Sequence, residues 1–414
     1  MINKKIGLLL VFVLALKVIL LLTWGDFQSM NPDEEGNYLL AANYLEGNDY
    51  TRNGKLSAFN GSFTVFLYKY LIINNISKNT YIGIYHFLSI LIFILSIPFF
   101  YKILLNLKVQ SKIAFLSTVL YCIYPSNLFF IGNLFLYEKM VLPLLVIVFY
   151  YLLSTIRFNR KERMAWIVPI IVTVSCLFRA QLIFIYFIIF LFFGLYLIIT
   201  FHKQRNVLKK ALLFLFTLIF LVISHIPIFL KNHTMYGSYI LSTQTGYELM
   251  QGHNELARGS WMGNWTDPES AYYKYSRTIM PEIDSYNQYE EGIARKEYAL
   301  NWIKNNPLKE IKLIIKKTAI FLMPRNYLAG YNSFNILLHI AFVLSIMLMF
   351  LRKNADVNSW LILSPIIGTY LLSLIFFVGI RWRYYAEPFF IIFANYQLIE
   401  YAYSRKWFKN IKIK

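Results

Sequence analysis

Acid is what this chain has little of: 21 Asp and Glu stand against 41 Lys and Arg in 414 residues, a formal charge of +20. Cysteine is rarer still, with only Cys122 and Cys176. Both fall inside long apolar runs, which excludes a disulfide framework and a thiolate metal centre. Charged residues make up 15% of the chain against 58% hydrophobic and 18% aromatic, a balance that excludes a soluble domain. Low-complexity segments are absent, as are repeats of about 20–50 residues, which excludes solenoids and arrays. The N-terminus has a basic start and an apolar core, but no small-residue cleavage site follows and Lys17 interrupts the run. It reads as a retained anchor.

What is present in abundance is apolar length. Runs of about 18 or more apolar residues read as membrane helices. About ten are expected, at 6–24, 80–101, 112–131, 138–156, 164–178, 181–201, 208–230, 334–351, 359–380 and 386–403. The fold class implied is an all-α integral membrane protein, a polytopic bundle surrounded by membrane lipids. Aromatic residues recur near the expected ends (Trp24, Tyr81, Tyr101, Tyr150, Trp166, Trp360), which suits interfacial anchoring. The positive charge is not scattered: twenty basic residues fall in six segments that alternate with the other connections, opposed only by Glu162 and Asp356. By the positive-inside rule both termini are cytoplasmic. A nucleic-acid partner is excluded on the same ground, because these charges report topology and form no single binding face.

Three units follow. Residues 1–230 form an N-terminal transmembrane module whose first outer loop, 25–79, is acidic. Residues 231–333 form an extracytoplasmic cap, and 334–414 hold the last helices and a basic tail. The run Phe63–Ile73 is too short to span and is expected to lie along the interface. So is an amphipathic helix from Pro307 to about Phe321, with Lys309, Lys312, Lys316 and Lys317 on its polar side. A further helix is expected over about 284–304, preceded by glycine-rich loops.

With acid so scarce, its placement is informative. Asp33, Glu34 and Glu35 stand together after Pro32, just beyond the first run. Adjacent carboxylates repel and raise one another's pKa unless a cation offsets them. The blander reading is that they serve the dipole of the helix that Pro32 opens. Company at the same expected depth favours chemistry. Glu138 opens the fourth run, Arg179 lies in the short link after Phe178, and Arg381 and Arg383 open the last run. Taken singly, each is more readily a snorkelling or paired residue. Together they are ionisable groups lining one rim of a bundle. In the cap, His253, Asn254 and Trp265 are candidates for contact with sugar hydroxyls, whereas His225 reads as a satisfied helix-end residue. A metal held by Asp33, Glu35 and Glu138 would have no histidine to give it selectivity, so no metal and no cofactor are expected.

These short motifs, in order along nearly the whole chain, resemble the membrane glycosyltransferases of the GT-C class. The likeness is to the protein-mannosyltransferase and aminoarabinose-transferase-like group, glycosyltransferase family 39. Asp33-Glu34 with Tyr38, Ala41-Ala42 and Gly47 resembles that group's acidic first-loop motif. Leu136-Tyr137-Glu138 resembles the opening of its fourth helix, and Leu177-Phe178-Arg179 its arginine-bearing link. Arg381-Trp382-Arg383-Tyr384 followed by Pro388-Phe389 resembles its closing pattern. Gly246-Tyr247-Glu248, Gly252-His253-Asn254 and Gly259-Ser260-Trp261 resemble an outer-loop signature of bacterial members.

The resemblance implies an inverting transfer from a polyprenyl-phosphate-linked sugar to a glycan, lipid or protein acceptor. The topology read from charge puts the reaction on the extracytoplasmic side, and Lys-, Ile- and Asn-rich usage fits a bacterial inner membrane and a role in building the cell envelope. The first-loop acid would be the base, Asp33 or Glu34, since the pair aligns in either register. Arg179, Arg381 and Arg383 would hold the donor phosphate, which matches a guanidinium's bidentate geometry. Glu35, Tyr38, Glu138, His253 and Asn254 would contact substrate. Two other readings are open. A polysaccharide polymerase or ligase would not need the first-loop acid, and a lipid-linked-sugar flippase would carry charges and broken helices at mid-span.

Overall fold

The computed structural model describes residues 4–24, 32–48, 51–52, 55–58, 62–129, 137–158, 163–200, 207–263, 267–326, 330–331, 333–351 and 356–404. Helices dominate, and the described strands are two-residue pairs, Thr51–Arg52 with Lys55–Leu56 and Arg325–Asn326 with Gly330–Tyr331. In chain order the first helices are α1 (Lys4–Trp24), α2 (Pro32–Leu45), α3 (Ser62–Ile73), α4 (Lys78–Asn106), α5 (Ser111–Ile123), α6 (Pro125–Phe129) and α7 (Glu138–Leu152). There follow α8 (Val168–Phe178), α9 (Leu182–Ile199), α10 (Val207–Tyr236), α11 (Gln244–Gly252), α12 (Ala271–Ile279), α13 (Gln288–Asn305) and α14 (Pro307–Leu322). The chain closes with α15 (Ser333–Leu351), α16 (Val357–Ile375), α17 (Ile380–Arg383) and α18 (Glu387–Ser404).

This is an all-α membrane protein. Among the described residues six helices are long and apolar enough to cross a bilayer: α1, α4, α7 with its π-helical extension to Arg157, α9, α10 and α16. Three of the other expected runs correspond to shorter apolar helices. The run 112–131 breaks at Tyr124, whose backbone is extended (φ −56°, ψ 133°), because Pro125 disfavours helical geometry in the residue before it. The run 164–178 opens with a 3-10 turn, Arg163–Ile167, before α8 takes over with Pro169 in its first turn. The run 334–351 falls within α15, and 386–403 becomes α18.

One apolar core joins α1, α4, α5, α7, α8, α9, α16 and α18. Helix α7 lies at its centre, with 89% of its spanning window buried, against 22% for α1 and for α10 at the periphery. A second cluster packs α2 and α3 on α4 and on the start of α7, through Leu40, Ala41, Val65, Tyr68, Ile82, Tyr137 and Met140.

The cap has a small core of its own, formed by Leu249, Met250, Tyr272, Ile283 and Ala299, and Arg295 is buried against Met250 and Tyr272 of it. Arg295 is fully buried yet compensated: it donates to Glu291 at 2.7 Å and to the Tyr272 hydroxyl at 3.0 Å. The expected 284–304 helix divides into a 3-10 turn, Pro281–Ser285, and α13. There Asn287 and Glu290 form a reciprocal capping box that fixes the start.

Close backbone contacts help to fasten the cap to the rest of the molecule. Ser260 pairs with Val378, whose N–H donates to the Gly259 carbonyl at 2.8 Å. Thr243 N–H donates to the Ala58 carbonyl at 3.1 Å, and Ala58 N–H to Gln288 Oε1 at 3.0 Å, tying both loop segments together. Gly252 lies against Phe376 so closely that a Cβ there would stand 1.7 Å from the Phe376 carbonyl oxygen. Within the cap, Gly246 meets the Gly292 carbonyl in the same way, at 1.8 Å.

Gly252→Ala and Gly246→Ala are therefore expected to force backbone apart and to destabilise the cap by roughly 1–3 kcal/mol or more. Gly83→Ala and Gly194→Ala, on α4 and α9 with open space around them, are expected to be neutral or to stabilise by up to about 1 kcal/mol. Thermal unfolding in detergent, with limited proteolysis of the cap, separates the two pairs.

Candidate functional site

A cavity of about 590 Å³ lies where the cap meets the bundle. Its bundle side is largely apolar: Phe178 ending α8, Phe229 on α10, Leu372 on α16, then Phe376 and Trp382. Its cap side is largely polar, with Ser242, Thr243, Gln244, Glu248, Tyr289 and Lys296. Arg179 and Gln181 sit on the seam, in the link 179–181 between α8 and α9. A chamber with one apolar and one hydrogen-bonding wall accepts an amphipathic ligand, and its volume suits a small-molecule site.

Arg179 is held from beneath. Its Nη2 lies 3.1 Å from Glu138 Oε1, and its guanidinium carbon stands 5.8 Å from the centroid of the Tyr137 ring. Glu138 is 1% exposed and opens α7, where the helix dipole favours a carboxylate. The backbone of Arg179 is extended (φ −144°, ψ 99°), which ends α8 and directs the chain into α9. Phe178 packs on Tyr137 (5.0 Å between centroids) and on Phe63 of α3 (5.3 Å), so the α2–α3 pair, the start of α7 and the Arg179 link share one neighbourhood.

The side chains of Asp33, Glu34 and Arg381 lie outside the described residues, as does Trp265; Asp33 and Glu34 belong to the first turn of α2. Glu35 is exposed and reaches Lys78 at 3.4 Å. Tyr38 packs edge-on against Tyr68, with centroids 5.7 Å apart. Neither Glu35 nor Tyr38 lines the cavity. Arg383 is buried and engaged: it donates to the carbonyls of Phe321 and Met323 at the end of α14, and its Nε lies 3.8 Å from Glu387 Oε1. Glu387 Oε2 in turn accepts from Ser126 at 2.8 Å. The structure thus joins Glu138 to Arg179 and gives Arg383 partners of its own.

His253 and Asn254 also stand apart from the cavity lining. His253 Nδ1 is 2.9 Å from Glu310 Oε2, and its Nε2 is 2.7 Å from the Ile375 carbonyl. Asn254 braces its own turn, donating to the Met250 carbonyl at 2.6 Å and accepting from Leu256 N–H at 2.7 Å. Lys317 completes the network by donating to the carbonyls of Leu374 (2.8 Å) and Phe376 (2.6 Å). Lys317 therefore does not share the polar side expected for it. It falls on the inward face of α14 with Glu310 and Leu313, seven and four residues before it, as helical periodicity requires. Among the described residues no group of three His, Cys, Asp or Glu is placed to hold a metal.

Several residues of the arrangement have surroundings that were not evident from sequence. Glu248 lines the cavity and accepts from Gln244 at 2.5 Å. Lys17, Asn127, Lys139, Tyr384 and Glu387 are buried polar groups of the bundle, with Lys17 donating to the Asn127 carbonyl at 2.9 Å and the Tyr384 hydroxyl to Asn127 Oδ1 at 2.6 Å. Lys17 interrupting an apolar run, and Arg383 and Glu387 four residues apart, were the available signals. No protein-family model matches this chain, and no curated protein matches it either.

Two outcomes follow. Glu138→Gln and Arg179→Gln should each lower stability, by up to about 3–5 kcal/mol, and a double-mutant cycle measured by thermal unfolding should show that they are coupled. The second concerns Lys317, whose pKa burial pulls down to about 8, with Glu310 opposing in part. An unfolded lysine titrates near 10.4. Between these values the unfolded chain holds a proton that the folded chain has released, so this group adds stability as pH rises from about 8 to 10. The stability difference between wild type and Lys317→Met should shift in the wild type's favour over that interval.

Proposed function

We propose that this protein is an inverting glycosyltransferase that moves a sugar from a polyprenyl-phosphate carrier to an acceptor hydroxyl, at the extracytoplasmic face of a bacterial plasma membrane. The observation that carries the reading is the two-sided cavity with Arg179 on its seam. The apolar wall suits the first isoprenes of the carrier, the guanidinium suits its phosphate, and the polar cap suits the sugar.

The chemistry asks little of the protein. The acceptor oxygen attacks the anomeric carbon from the side opposite the phosphate, and the carbon–oxygen bond to phosphate breaks with inversion. The lipid phosphate departs as a stabilised anion, so no general acid is needed, and one carboxylate takes the acceptor's proton. That base is assigned to Asp33 or Glu34, and the leaving phosphate to Arg179 with Arg381. Glu138 orients Arg179, a positioning role. Arg383, engaged with carbonyls and Glu387, holds α14 to α18. Gln244, Glu248 and Tyr289, which line the cavity, are assigned to the sugar hydroxyls.

Purified protein in liposomes, supplied with a panel of radiolabelled polyprenyl-phosphate sugars, should transfer from one of them. Asp33→Asn/Glu34→Gln should cut that transfer by about 10²-fold or more. Arg179→Gln should do the same, while Glu35→Gln retains activity. Transfer that survives the double acid substitution would favour a polymerase or ligase instead. No transfer from any donor by folded protein would overturn the reading.

A further inference from the structure

A second, much smaller cavity lies deeper in the bundle, and it shares no lining residue with the first. It has room for about 20 Å³ and lies between α1, α4, α6 and α7. Lys17, Lys139, His86, Ser89, Asn127 and Tyr384 are on its wall. Lys17 is 3% exposed and Lys139 is 6% exposed. Each ammonium carries three N–H donors. Lys17 gives one to the Asn127 carbonyl at 2.9 Å and lies 3.8 Å from the centroid of the Phe93 ring. Lys139 Nζ has no hydrogen-bond partner among the described residues.

Two lysines facing one small space inside an apolar bundle must either give up a proton or gain an anionic partner, since an uncompensated buried charge costs several kcal/mol. Among the described residues no carboxylate stands on that wall. Glu138, next to Lys139 in sequence, contacts Arg179, and Glu387 contacts Ser126 and Arg383. Among the described residues, Lys17 and Lys139 are therefore buried together while the two nearest buried carboxylates, Glu138 and Glu387, are each engaged by an arginine. A cavity of this size holds one water or one monatomic ion and is too small for a sugar.

We propose that this cavity is a binding site for one small inorganic anion of the halide class, held between Lys17 and Lys139 with Tyr384 and Asn127 beside it. The anion supplies negative charge to the two ammonium groups and locks α1 to α7. The site does not depend on the transferase reading, and neither one's failure touches the other.

The test uses the full chain in nanodiscs of zwitterionic lipid, at fixed pH and ionic strength. Chloride or bromide replaces gluconate, and thermal unfolding is followed. The expected result is a saturable rise in Tm with chloride and with bromide, lost in Lys139→Gln. Equal Tm in gluconate and chloride would overturn the proposal, as would a chloride response that Lys139→Gln retains in full. A rise given by polyprenyl phosphate but by neither halide would also overturn it and assign the lysines to a lipid headgroup. If Lys139→Gln does not fold, anomalous scattering from bromide-soaked wild-type crystals decides. A peak between the lysines supports the site, and an empty map sinks it.

Discussion

The contact between Glu138 and Arg179 sets the terms for everything around it. A carboxylate that is 1% exposed, in the first turn of the most buried helix, is tolerable only beside a cation. The chain supplies that cation from a link too short to move independently, so α7, α8 and α9 are fixed to one another at their capped ends. The cavity inherits this rigidity, because Arg179 forms part of its wall and Phe178, the residue before it, holds α3 through Phe63.

Arg383 shows the same constraint solved differently. Its charge is shared between two backbone carbonyls at the end of α14 and the carboxylate of Glu387 one turn along the chain. Arg295 solves it a third time, inside the cap, with Glu291 and tyrosine rings. In each case a guanidinium spreads its donors over several fixed acceptors, which a lysine's compact charge does less well. This contrast makes the pairing of Lys17 and Lys139 around one cavity stand out.

The helical class, six of the ten expected spanning runs and the existence of short helices at 63–73 and 307–321 were legible in the sequence because hydrophobic length and periodicity are local properties. Breaks were partly legible: Pro125 is visible, but whether the chain resumes as a spanning helix depends on what packs beside it. For the site, Glu138 and Arg179 could be nominated, since a charge beside an apolar run has few destinations. Their direct contact could not be read, because it joins residues about forty positions apart. The cap was least legible. Glycines at 246 and 252 look like loop residues in sequence, whereas in the fold they are places where two backbones touch. Similarly, His253 has the composition of a binding residue, and only its neighbours Glu310 and Ile375 show it bridging helices.

The fastening of the cap has a consequence for traffic. A roof joined to its walls at Phe376, at Val378 and at Ala58 is poorly suited to swinging open like a lid, because the hinge would have to tear backbone contacts on several sides at once. Helix α10, by contrast, stands at the rim with most of its surface bare, and its Phe229 borders the chamber. A long greasy molecule therefore has its easiest way in from the side, sliding between helices without ever leaving the oil, while a water-borne one must find a gap in the roof.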